Sequence, residues 1–596
     1  MLSADGSVGS PHVRVGHRQA LYLRKGRSHP GAAFFLGLRM KKNITSILSV
    51  SFLIASCTQH AQETATLVIT GARVWTGDSE QPWVEAVGVK DERIVAVGSA
   101  ESIEPLIGEE TEVISVEGSM LVPGFIDTHV HFLSGGGGLA SVQLRDAKTP
   151  EELSKRIASF ANTVDPGEWI LNGDWDHQNW GGELPSREWI DAVTPENPVW
   201  ITRLDGHMGL ANSLALKLAG VDADSADIEG GTIVRDAADS PTGMLKDNAM
   251  RFVTAAVPEP TNAQLDRYLD AAMQYVASNG VTTVHDVSAE GSGGWTSLAT
   301  YRRAQRSNKL ITRIYSIPPL SDWEKLIGDI GTNGRGDDWL KTGGVKAMMD
   351  GSLGSHTAAF LEPFTDTPGD SGFLINTLDD MRTWITDADA AGLQLVVHAI
   401  GDKAIRDLLD IYYEVAKENE VRDRRFRIEH AQHIHSDDIE RFVIQDIIAS
   451  MQPYHAIDDG RWAEKVIGAE RAKTTYAFQS LIDGGAHVAF GSDWSVAPAS
   501  PIEGIYAAAT RRTLDDANPN GWVPEQKITV EQALRAYTYE GAFASFEEDK
   551  KGMIKVGMLA DMVLLDRDLT TIAPETIRDT RVLKTIVGGR VVYSGK

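Results

Sequence analysis

Cysteine is almost missing: Cys57 is the only one in 596 residues. No disulfide can form within the chain, and cysteine ligation of a metal in the body of the protein is excluded. Positive charge is also scarce. Lys and Arg number 57 against 83 Asp and Glu, a formal net charge of −26 at pH 7. So anionic a surface argues against nucleic acid and anionic substrates as partners. The N-terminal apolar run from Ile44 to Ala55 is too short to span a bilayer. There is no fixed-period repeat and no low-complexity tract. What is present, 42% hydrophobic and 23% charged residues, fits a globular chain with a real core.

The first 56 residues stand apart. Residues 1–39 are basic and lack a hydrophobic period; they read as upstream sequence translated in error, with a disordered extension as the alternative. Met40-Lys41-Lys42, the apolar run and Ile54-Ala55-Ser56-Cys57 follow. That is the layout of a bacterial signal peptide over residues 40–56, ending in a lipobox-like cut that would leave Cys57 as a lipidated first residue. A plain secretory signal with an incidental Cys57 is the competing reading. Thr58 follows the cut, where Asp would favour inner-membrane retention. The expected address is the outer membrane, facing the periplasm of a Gram-negative bacterium.

From Ala65 the chain alternates in short strands separated by Gly and Asp turns, and residues 545–596 do the same. Residues 66–122 and 545–596 are therefore expected to pair into one small β domain. The middle, residues 123–544, holds eight candidate strands: 124–131, 280–287, 310–317, 343–349, 393–400, 425–431, 446–452 and 486–492. Helical patterns lie between them, as at 263–278, 379–391, 402–418 and 502–512. Eight such units predict an α/β fold, a (β/α)8 TIM barrel. The gap after the first strand is too long for one helix. Residues 150–260 are read as an insertion with strands at 169–174 and 198–204.

Five of these strand-like runs end in metal-ligand types: Phe125-Ile126-Asp127-Thr128-His129-Val130-His131, Val345-Lys346, Val396-Val397-His398, Arg427-Ile428-Glu429-His430 and Phe490-Gly491-Ser492-Asp493. His129 and His131 are two apart, so a strand points both imidazoles the same way. Singly, each has a bland explanation: a satisfied core histidine, a snorkelling lysine, a capping aspartate. Together, four His, one Lys and one Asp point to a metal site at the mouth of a parallel barrel. Weaker candidates for substrate contact are Asp176 and His207 on the insertion, His285 at the end of the second strand, and Asp350 after the fourth. Trp169, Trp175, Trp180 and Trp189 suggest an apolar pocket wall or, equally, core. The glycine run 135–138 is not read as a phosphate cradle, because it abuts the His pair.

These motifs, with Gly173-Asp174-Trp175-Asp176, Asp205-Gly206-His207, Asn212-Ser213, Lys346 to Ser352, His398 to Asp402, Arg427 to Gln432, Ser450 to Pro453, Gly491 to Trp494 and Gly557 to Asp561, resemble the metal-dependent amidohydrolase superfamily. The resemblance is to its amidohydrolase-3 branch, which includes N-substituted formamide deformylase-like enzymes, and covers nearly all of residues 66–596. It implies one or two divalent metals, usually zinc, on His129, His131, Lys346, His398, His430 and Asp493. It also implies a carbamylated Lys346 as bridging ligand and Asp493 as the proton carrier. The expected activity is hydrolysis of a carbon–nitrogen bond other than a peptide bond, in an amide, formamide or cyclic amide. Ester, lactone or deaminase chemistry on the same site is the rival, and a metal-dependent binding lipoprotein the non-enzyme alternative. The expected partner is a small-molecule substrate, with membrane contact only through the lipid; a homodimer is compatible with the sequence.

Overall fold

Runs of Val, Ile, Ala and Leu without polar alternation form strands buried on both faces, and these are parallel. They are β1 (Phe125–Val130), β2 (Val281–Val287), β3 (Arg313–Ile317), β4 (Gly344–Met348), β5 (Gln394–Ala399), β6 (Arg427–His430), β7 (Ile448–Met451) and β8 (Val488–Phe490). The structure is a computed structural model describing residues 64–203, 208–228, 231–287, 293–354 and 356–595. Cys57 and the N-terminal segments discussed above lie outside the described residues.

Strands β1, β2 and β3 pair in parallel, as do β4 to β8. The two sheets meet at two seams. At one, Lys346 bridges Pro319 and its N–H donates to the Pro318 carbonyl at 2.8 Å. At the other, Val130 bridges Trp494, Asp493 N donates to His129 O at 2.8 Å and His131 N to Trp494 O at 2.6 Å. Both seams run through candidate ligand residues, so closing the (β/α)8 barrel and assembling the site are one event. All eight strands lie where the sequence predicts them. Lys346 sits mid-strand in β4 rather than at its end.

The outer helices Asn262–Ser278, Leu378–Ala390, Asp402–Glu418 and Pro501–Thr510 also follow the expected pattern. Thr261, Thr377 and Ser500 cap three of them, satisfying first-turn N–H groups.

Strands from both chain ends share one sheet. Met562–Leu565 runs antiparallel to Met120–Pro123, and Leu67–Trp75 joins the other side. Leu67–Trp75 is one strand with a register shift between Thr70 and Val74, around Gly71 at φ 76°. Arg313 on β3 is buried and donates to Asp561 from Nε at 2.7 Å and Nη2 at 3.0 Å, tying this sheet to the barrel.

The insertion builds a five-stranded sheet. The sequence anticipates Ile170–Trp175 and Val199–Arg203 but not Met208–Ala211, Gly231–Arg235 or Pro241–Asp247. Its tryptophans are core. Trp175 is fully buried, and Trp180 and Trp189, edge-on to each other with centroids 6.3 Å apart, pack against the same cluster.

Candidate metal centre

The C-terminal ends of β1, β4, β5, β6 and β8 converge on one cavity of about 410 Å³. His129, His131, Lys346, His398, His430 and Asp493 all line it. Imidazole centroids lie 5.7 Å apart for His129 and His131, 4.8 Å for His129 and His430, and 4.5 Å for His398 and His430. Lys346 Nζ is 3.4 Å from His129 Nε2. Asp493 Oδ1 lies 3.2 Å from His131 Nε2 and 3.5 Å from His129 Nε2.

The backbone is bent to bring these groups in. His430 (φ 69°) and Asp493 (φ 60°) occupy the left-handed region, which non-glycine residues enter at some conformational cost. Gly491 must be glycine, since a Cβ there would stand 2.6 Å from His129 N. Buried Asp127 locks the turn: its carboxylate accepts from Ser492 N at 2.8 Å and Ser492 Oγ at 2.5 Å. Burial pushes the Asp127 carboxyl up to about 7, against these hydrogen bonds.

Each imidazole is oriented from behind. His129 Nδ1 meets Glu429 Oε2 at 2.5 Å, leaving Nε2 for the cavity. His430 Nδ1 meets Gln452 Oε1 at 2.8 Å, again leaving Nε2. His398 Nε2 meets the Gly351 carbonyl at 3.0 Å, leaving Nδ1. Such partners set the tautomer and raise ligand basicity. Burial holds His129 down at about 4 and His398 at about 3, each with the Lys346 charge acting the same way; burial also takes His430 well below its ordinary value. Neutral imidazoles are the ligand-competent form. Lys346 falls to about 8, mainly by burial. Burial opposes ionisation of Asp493, but His129, His131, His430 and His455 outweigh it and hold the carboxyl well below the carboxylate range.

The donor set fits a cation. Asp493 Oδ1 and His455 Nε2 are buried without a hydrogen-bond partner, although buried polar atoms are nearly always paired. Two groups of ligand atoms share Asp493: His129 and His131 with it, and His430 and His455 with it, each within 4.8 Å. Nitrogen and carboxylate donors in this mixture suit zinc or a similar divalent ion.

Sequence reasoning leaves out several residues of this centre. His455 lies past β7 on the helix Pro453–Asp459, 3.9 Å from Asp493 Oδ2. Its signal is its place two residues after Gln452-Pro453. Glu429 is fully buried, and Arg427 binds it from Nε at 2.8 Å and Nη2 at 2.7 Å. Burial alone would raise Glu429, but Arg427 and His129 bring it to about 2.

The weaker candidates fall elsewhere. Asp350 is wholly buried and clamps a loop, accepting from Ala359 N and Gly401 N at 2.8 Å and Ile400 N at 3.0 Å. It has no exposed face for substrate, which corrects that assignment. His285 is also fully buried; its Nδ1 meets Arg427 Nη1 at 3.0 Å and it is not among the described residues lining the cavity, so it too is no substrate contact. Asp176 pairs with Arg203 at 3.0 Å on the insertion and is not among the described residues lining the cavity. His207 lies outside the described residues.

A sequence profile described as "Amidohydrolase family" matches residues 112–593. The chain belongs to the amidohydrolase family. This amidohydrolase is 40% identical to Protein LONG AFTER FAR-RED 3 of Arabidopsis thaliana, across 91% of this chain and 94% of that protein. It is 27% identical to N-substituted formamide deformylase of Arthrobacter pascens, over 88% and 98%. Among solved structures, a metal-dependent hydrolase from Pyrococcus furiosus superposes with a TM-score of 0.71 at 28% identity, covering 85% of this amidohydrolase and all (100%) of that chain. The protein is accordingly a metal-dependent hydrolase of the amidohydrolase superfamily.

Proposed function

We propose that this hydrolase cleaves a carbon–nitrogen bond other than a peptide bond, in a small amide, formamide or cyclic amide, using zinc. The observation that carries the reading is the buried Asp493 carboxylate, whose Oδ1 has no hydrogen-bond partner although His129 and His131 stand beside it, with His455 3.9 Å from Oδ2. His129, His131, His398, His430, Lys346 and Asp493 would hold one or two divalent ions. A metal held there supplies a Lewis acid for the carbonyl oxygen and a lowered pKa for water. Asp493 takes the proton of the attacking water and returns it to the departing nitrogen. His455, which lines the cavity 3.9 Å from Asp493 Oδ2, would be placed to hydrogen-bond the substrate.

Lys346 is read as a carbamate. An ammonium among neutral imidazoles would repel a metal, whereas a carbamate adds negative charge and two oxygens. Burial favours the neutral amine that reacts with carbon dioxide, and the fall to about 8 supports that step.

Elemental analysis paired with a panel of formamides, amides, cyclic amides, esters and lactones tests the proposal. The expected result is one or two zinc ions per chain and turnover of a C–N substrate that chelation abolishes. Turnover confined to esters or lactones would sink the C–N assignment.

A further inference from the structure

The cavity beside the metal centre has a charge pattern of its own. The helix Pro453–Asp459 after β7 carries His455 toward Asp493 and, one turn later, Asp459 into the same cavity wall. Among the described residues no Lys or Arg pairs with Asp459; the one basic group that acts on it is His455, a turn earlier on the same helix. Its Oδ2 accepts from Tyr476 OH at 2.6 Å and from Gln432 Nε2 at 2.8 Å. Neither donor is a cation, and among the described residues Oδ1 has no hydrogen-bond partner. The adjacent Asp458 lines the same cavity but differs in being paired with Arg461. The only Lys or Arg among the described lining residues is Lys346, which the metal site uses. Trp462, Leu353, Met348, Ile400 and Val496 are its larger apolar lining residues.

A carboxylate held in place by two neutral donors, beside an indole and aliphatic side chains, is built to meet a cation. The carboxylate gives a charge-assisted hydrogen bond, and the indole face attracts positive charge. We infer that the substrate carries a positively charged nitrogen, an alkylammonium or amidinium, that binds Asp459 while its amide reaches the metal centre. The inference rests on the proposed C–N hydrolysis and narrows it to cationic amides. Burial raises the Asp459 carboxyl, against the Tyr476 hydrogen bond, the His455 charge and the Gln432 hydrogen bond, so the arriving cation would also replace lost solvation.

Two measurements on the zinc-loaded protein decide it. The first compares kcat/KM for N-formyl-4-(aminomethyl)benzylamine, its neutral isostere N-formyl-4-methylbenzylamine and the anionic N-formyl-4-carboxybenzylamine. One charge-assisted hydrogen bond predicts a preference for the cation of about 10- to 100-fold over the neutral compound, with the anion poorest. In Asp459→Asn that ratio should fall to about 1, whatever the absolute rates. The second is calorimetric binding of benzylammonium against benzyl alcohol, which needs no turnover. Benzylammonium binding that depends on Asp459, without hydrolysis of any formamide, amide or cyclic amide, would keep the cation site and overturn the C–N reading. Equal rates on cationic and neutral formamides, or a preference that survives Asp459→Asn, would overturn the cation site and leave the hydrolase intact.

Discussion

Glu429→Gln removes one negative charge from a group with no access to water. In the folded chain this carboxylate accepts from His129 Nδ1 at 2.5 Å, Arg427 Nε at 2.8 Å and Ser450 Oγ at 2.9 Å. Its pKa falls from 4.5 to about 2, which corresponds to about 3 kcal/mol in favour of the ionised form when folded. Breaking one partner of a buried ion pair costs roughly 3–5 kcal/mol in general, because the other charge is stranded. The two estimates agree, and the stranded group here would be Arg427. The pH dependence has a definite sign. A carboxylate with a depressed folded pKa stabilises fully above its unfolded value and loses that contribution as pH falls toward the folded one. Urea unfolding of the metal-free proteins should therefore separate wild type from Glu429→Gln by about 3 kcal/mol at neutral pH. The gap should close as pH drops from about 4.5 toward 2. Because Glu429 also fixes the His129 tautomer, metal affinity should fall about 10- to 100-fold. A gap under about 1 kcal/mol at neutral pH, or one that stays constant into acid, would refute the reasoning.

Three further outcomes are expected. Asp493→Asn should keep the fold and much of the metal but lose at least about two orders of magnitude in kcat; near-full activity would move the proton transfer to another group. Lys346→Ala should lose metal and turnover together, with partial recovery in formate or acetate. Carbon-13 NMR of wild type in labelled bicarbonate should show a carbamate carbon, and its absence from a fully active holoenzyme would leave Lys346 unmodified. Cys57→Ala should release the proposed lipoprotein from the membrane fraction, whereas intact mass showing an unacylated start elsewhere would remove the anchor.

The barrel was legible because its physics is local. A strand covered on both faces must be apolar throughout, so Gln394–Ala399 and Ile448–Met451 announce themselves as short runs between helical patterns. Ligand types at their ends are equally local: His129 and His131 share a face by strand periodicity alone. The missed strands of the insertion lack that signature. Gly231–Arg235 is mostly half-exposed, and Pro241–Asp247 opens on proline, so neither reads as buried or as cleanly alternating.

What stayed hidden in the site is non-local. Glu429 and His129 are 300 positions apart and meet only because β1 and β6 contribute to one closed barrel. Gln452 and His430 meet because adjacent strands β6 and β7 end side by side. Asp350 shows the converse error. A carboxylate beside a glycine, just past a ligand-bearing strand, looks like a site residue, yet its neighbours are three backbone N–H groups that would otherwise be buried unpaired. Asp459 sits on an equally ordinary helix, and no described backbone N–H donates to its carboxylate; its hydrogen-bond partners are the side chains of Tyr476 and Gln432, and it lines the cavity. The difference between a structural carboxylate and a binding one thus lies in which donors the fold leaves for it. Only the assembled barrel shows that.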